Sequence, residues 1–231
     1  MKNMKRIILS VLALLAASVS PNLFPISQAG YALLSDLAVT YLIPSIIFLA
    51  VIVVLGFFID EKRTSKQIIT GIIAGLIATI GLEIIREIGF HLDGMPGDMP
   101  KLLGVLLLNQ FAIGPDTTSN IAGWSFHFWN GASFGIIYSI IFGKGKTWMG
   151  TIYGIALGIG FMVSPAVIAL GIGYFGVDFG WKFPVTVTLA HIVFGSILGW
   201  LLFKWNENKT SIFSTLKNLY VEMVANKNVT D

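Results

Sequence analysis

The chain has 231 residues, of which 55% are apolar and 12% charged, with a formal charge of +3 and no cysteine. Soluble domains carry roughly a quarter charged residues, so this composition, with a mean hydropathy of +0.81, excludes a water-soluble surface. The lack of cysteine excludes disulfide frameworks, thiolate catalysis, iron–sulfur clusters and zinc ribbons.

The apolar runs are continuous instead of alternating, which excludes a membrane β-barrel. A helix needs about 20 residues to cross the hydrocarbon layer. Six runs qualify, near 7–27, 37–59, 68–90, 120–142, 148–175 and 184–203. The expected fold is an all-α, polytopic helical membrane bundle.

Residues 1–30 fit two descriptions. Lys2, Lys5 and Arg6 before an apolar run that ends in small residues suit a cleaved signal peptide or a retained first span. Residues 31–67 hold the second span and a basic loop with Lys62, Arg63 and Lys66. Residues 68–203 hold four spans and an outer loop, 91–119. In that loop Asp98 and Pro100 mark a helix start before the run Leu102–Leu108, too short to span and expected to lie at the interface or re-enter. Residues 204–231 form a tail in which Ile212, Leu216, Leu219, Tyr220 and Met223 recur at helical spacing, an amphipathic helix for the membrane face or a partner.

Basic residues set orientation, because cytoplasmic loops carry the Lys and Arg excess. Lys2, Lys5, Arg6, Lys62, Arg63, Lys66, Lys144, Lys146, Lys204, Lys209, Lys217 and Lys227 fall on one side of the six-span arrangement. Both termini are then cytoplasmic if the first helix is retained, in a multi-pass protein of the cell membrane. The bilayer is the implied partner, other membrane subunits are a further one, and nucleic acid is not. The patterns Asn208–Thr210 and Asn228–Thr230 match glycosylation acceptors, but this topology places them in the cytoplasm.

Two segments resemble each other. His127-x3-Gly131-x3-Gly135 in the fourth span matches His191-x3-Gly195-x3-Gly199 in the sixth, and Gly71-x3-Gly75 in the third matches Gly150-x3-Gly154 in the fifth. The repeated unit is a helical hairpin used twice, with glycine stripes that let backbones approach. These features, with Trp124, Tyr138, the turn Gly143–Lys146 and the fifth span reaching Pro165, resemble a family of small uncharacterised bacterial and archaeal integral membrane proteins. The resemblance covers about 68–203 and implies a helical bundle but no activity.

Ionisable groups inside spans are costly and mark functional candidates. Glu83, His127 and His191 each lie seven residues from the outer end of a span, about 10 Å deep at 1.5 Å per residue. Arg86, Glu87 and Asn130 are their candidate orienting or neutralising neighbours. Three readings follow. The polar groups can be interhelical packing devices in a structural subunit or scaffold. Glu83, His127 and His191 can hold a metal ion such as Zn, Cu or Fe, His127 and His191 can ligate a b-type haem, or the site can take a small ligand, in an accessory subunit of a larger membrane complex. The same groups can exchange protons in a transporter, histidine titrating near neutral pH, although the inner halves of the spans hold almost no ionisable group. A Ser133–His191 protease dyad fits poorly, since Ser133 lies on the helix of His127 about 120° off its face.

Overall fold

The computed structural model describes residues 2–206 and 211–230, with side chains from 3 to 206 and 211 to 224. Helix α1 (Lys2–Gln28) is followed by α2 (Leu34–Leu37), which continues through a π-helical turn, Ala38–Leu42, into α3 (Ile43–Phe58). The wide turn precedes Pro44, which has no N–H to give the carbonyl four residues back. Then come α4 (Lys62–His91), α5 (Met99–Leu107), α6 (Thr117–Phe142), α7 (Thr147–Met162), α8 (Pro165–Ala169), α9 (Lys182–Trp205) and α10 (Ile212–Thr230).

Among the described residues, five segments are long and apolar enough to cross a membrane: Asn3–Gln28, Leu34–Phe58, Lys62–His91, Thr147–Ala169 and Lys182–Trp205. Six were expected. The remaining one, α6, has 26 residues but carries Ser119, Asn120, Ser125, His127, Asn130, Ser133 and Ser139, which lower its hydropathy. Its polar residues are tolerable because α6 is the enclosed helix, packed by α1, α4 and α5, with Ser119, Ser133 and Ser139 fully buried. The fifth expected span is broken: α7 ends at Met162, and α8 restarts at Pro165, as the backbone restriction on the residue before proline favours.

The outer face of the bundle is inverted relative to a soluble protein. Ile69, Ile73, Ile77, Ile80, Ile84 and Ile88 recur every three or four residues along α4, and all are exposed. Such a stripe matches lipid contact, where apolar side chains cost nothing outside.

Inside, glycine sets the distances. A Cβ on Gly75 of α4 would strike the Gly131 carbonyl oxygen of α6, and one on Gly71 would lie 2.7 Å from the Gly135 carbonyl oxygen. In α7 and α9 the counterparts are Gly150 against Gly195 and Gly199, and Gly154 against the His191 carbonyl and Gly195. The α4–α6 and α7–α9 pairs meet where α4 lies along α9, with Gly81 against Val193 and Ile197. The run Leu102–Leu108 does not lie apart from the bundle: α5 buries Pro100, Leu103, Gly104 and Val105, and Gly104 abuts the backbone of Ser119 and Gly123.

Helix α1 is an integral wall, with Ala13 and Ala17 fully buried. The tail helix α10 returns to it, Asn3 Nδ2 donating to Glu222 Oε1 at 2.6 Å. Phe213, Leu216, Tyr220, Val221 and Met223 of α10 stay exposed. The pattern Asn208–Thr210 and the side chains of Asn228–Thr230 lie outside the described residues.

Gly75→Ala is expected to lower the stability of the detergent-solubilised protein by about 1–3 kcal/mol, the usual cost of overpacking. Gly97→Ala, where a Cβ meets nothing within 4 Å, is expected to leave the thermal midpoint unchanged. Thermal unfolding of the two variants checks this.

Candidate functional site

Helix α6 begins at a capping box. Asp116 Oδ1 accepts from the Ser119 backbone N–H at 2.7 Å, and Ser119 Oγ accepts from the Asp116 N–H at 2.9 Å. The Ser119 backbone N–H, and after it the Ser119 hydroxyl, hold the Asp116 carboxyl below the usual aspartate range. The box fixes where the helix starts and hence the face on which His127, Gly131 and Phe134 fall at i, i+4 and i+7.

That face lines a cavity of about 490 Å³. Its other walls are Ser18 and Phe24 of α1, Leu82 and Arg86 of α4, Met99 and Leu103 of α5, Leu157 and Phe161 of α7, and Val187, His191 and Phe194 of α9. The two histidines, 64 positions apart in sequence, therefore border the same space. Asn130 borders it too, its Oδ1 accepting from Ser20 Oγ at 2.6 Å.

A charge cluster closes one side. Glu83 Oε2 accepts from Arg86 Nε at 2.7 Å, and Glu83 Oε1 lies 2.8 Å from His127 Nε2. Arg86 Nη2 reaches Glu87 at 3.3 Å and Asp98 at 3.9 Å. Lys101 stands 3.3 Å from Asp98, and His91 stands 3.3 Å from Glu87. Arg86 and Glu83 are buried at 5% and 8% exposure, and among the described residues Arg86 Nη1, Glu83 Oε1 and His127 Nε2 have no hydrogen-bond partner.

His191 is held differently. Its Nδ1 lies 2.8 Å from the Val187 carbonyl, which can only accept, so the proton sits on Nδ1. In the neutral ring Nε2 is then an acceptor. Phe161 stacks on the imidazole at 6.3 Å and 22°, and Gly158 leaves room for its Cβ. His127 instead meets Trp124 edge-on at 6.3 Å.

Of the expected site residues, Glu83, Arg86, Glu87 and His127 form one network, while Arg86, His127, Asn130 and His191 share the cavity. The expected metal set is not assembled: among the described residues no three His, Asp or Glu side chains come together to hold an ion. Glu83 Oε2 accepts from Arg86 while its Oε1 lies 2.8 Å from His127 Nε2, and His191 is bonded to its own helix. A bis-histidine haem needs both Nε2 atoms free, and that of His127 faces Glu83.

Sequence reasoning missed Asp98 and Phe161 as site residues, and a second buried polar cluster at the opposite end. There Arg6, expected as a topology signal, is 5% exposed and 3.9 Å from the equally enclosed Glu61. Arg6 also lies 3.5 Å from Gln67, whose Nε2 donates to the Ser139 carbonyl at 3.1 Å. The available signal was the acidic pair Asp60 and Glu61 standing before Lys62 and Arg63 in the loop.

No family model, curated protein or solved structure matches the chain.

Arg86→Leu would leave Glu83 as a buried charge with only His127 beside it, a loss of about 3–5 kcal/mol. Glu83→Gln should cost less, because Arg86 keeps Glu87 and Asp98. Equal losses in thermal unfolding would contradict this division of the cluster.

Proposed function

We propose that this multi-pass membrane protein binds a small amphipathic molecule in the cavity between α1, α4, α6, α7 and α9. The observation that carries the proposal is the cavity itself. It has a volume in the range of small-molecule sites, apolar walls, and a few convergent polar groups in Arg86, His127, Asn130 and His191.

The basic loops at the opposite end of the bundle support an outward-facing cavity and cytoplasmic termini. The wall that α1 supplies through Ser18 and Phe24 supports a retained first helix. The alike glycine contacts of α4 with α6 and of α7 with α9 support the reading of a duplicated hairpin. Likeness to the uncharacterised membrane family rests on those same segments. A metal or haem centre has less support than an amphipathic ligand, since among the described residues no three His, Asp or Glu side chains come together and His127 Nε2 faces Glu83. A proton-coupled transporter also has less support: Arg86, which does not give up its proton, interrupts the line of groups from His91 to His127.

Gly160 borders the cavity, and a Cβ there meets nothing within 4 Å among the described residues, so Gly160→Leu is expected to reduce the space at that wall. Lipid extract from the native membrane is expected to raise the thermal midpoint of the purified wild type, by about 2.7 kcal/mol of stabilisation at a ligand concentration 100 times Kd. The extract should leave Gly160→Leu unmoved. An equal shift in both would place the binding elsewhere.

A further inference from the structure

Two side chains that border the cavity from different helices bear on the head of a ligand, the Arg86 guanidinium of α4 and the His191 imidazole of α9. On α4, Arg86 Nη1 is buried and without a hydrogen-bond partner on a side chain that borders the cavity. A buried donor in that state favours any ligand atom able to accept from it. On α9, the bond from His191 Nδ1 to the Val187 carbonyl leaves Nε2 to accept from a ligand O–H or N–H.

Charge narrows the head group further. The guanidinium of Arg86 already faces the carboxylates of Glu83, Glu87 and Asp98 at 2.7, 3.3 and 3.9 Å. Lys101 stands beside Asp98 alone. A carboxylate or phosphate entering here would add a fourth negative group around one buried cation, whereas a neutral oxygen accepts from Nη1 without that repulsion.

Shape points the same way. Phe161 lies nearly parallel to the His191 ring, and Phe134 meets Phe194 edge-on at 6.5 Å and 77°. All four side chains border the cavity. Flat aromatic walls of this kind favour a ring over a flexible chain at the polar end.

We propose that the molecule bound is a neutral ring amphiphile bearing a hydroxyl group, a phenol or hydroquinone head on an alkyl tail, whose O–H donates to His191 Nε2 while an oxygen of the head accepts from Arg86. The inference rests on the cavity reading above and adds the identity of the head group.

Binding of four probes to the purified full chain in lipid nanodiscs, followed by isothermal titration, tests it. The probes are 4-octylphenol, 4-octylanisole, octylbenzene and decanoate. The phenol is expected to bind about tenfold more tightly than the anisole, which lacks the donor, and than decanoate, which carries the charge. His191→Leu should erase the advantage of the phenol over the anisole, and His191→Gln, whose carboxamide oxygen accepts, should retain part of it. Decanoate binding as tightly as the phenol, or the phenol and the anisole binding alike in the wild type, overturns the inference and leaves the cavity reading in place. Failure of every probe, octylbenzene included, overturns the cavity reading and the inference together. The wild-type series decides the matter even if the histidine variants do not fold.

Discussion

A helix with a histidine, an asparagine and several buried serines has to be kept away from lipid, and the rest of this bundle is arranged around that constraint. In hydrocarbon every unsatisfied polar group costs several kcal/mol. Helix α6 meets the constraint by being enclosed. Gly71 and Gly75 bring α4 against Gly131 and Gly135, Gly104 brings α5 against Gly123, and α1 closes a further side through Ala13 and Ala17. Close backbone approach leaves α6 wrapped while His127 borders the cavity.

Enclosure of α6 also explains the charge cluster. With α5 folded over the start of α6, Asp98, itself paired with Lys101, comes within 3.9 Å of Arg86, whose guanidinium is tied to Glu83, and Glu83 in turn lies beside His127. A buried pair of this kind is weak evidence for stability, because desolvation offsets much of the attraction. Its effect here is positional: it fixes the His127 ring against Glu83 and leaves Arg86 Nη1 without a partner beside the cavity. The Tyr138 and Tyr153 rings of α6 and α7 meet at 5.3 Å, and the cavity lies between these helices and α1, α4, α5 and α9.

Much of this was legible in the sequence. Continuous apolar runs and basic loops gave the helical class and most span limits, and the four-residue glycine spacings marked the helix pairs that meet. Of the three residues singled out by depth, His127 and His191 border the cavity, and Glu83 lies beside His127. What stayed hidden depends on side-chain direction and on long-range closure. His127 and His191 look equivalent in sequence, yet one faces a carboxylate and the other its own helix carbonyl, so a shared metal or haem was a natural but unsupported expectation. The role of Asp98 depends on α5 folding onto α6, which the spacing of Leu102–Leu108 does not encode. Arg6 looked like a topology signal because a basic residue near a terminus normally is one. Only its burial against Glu61 and Gln67 separates it from Lys5.

Native mass spectrometry of the protein released from its own membrane gives the most direct test of the central claim, that the space between the two histidines is a ligand site. The account predicts one small molecule bound per chain in the wild type and none in a variant whose cavity is filled. A wild-type chain that is always empty, or a filled-cavity variant carrying the same molecule, would contradict it.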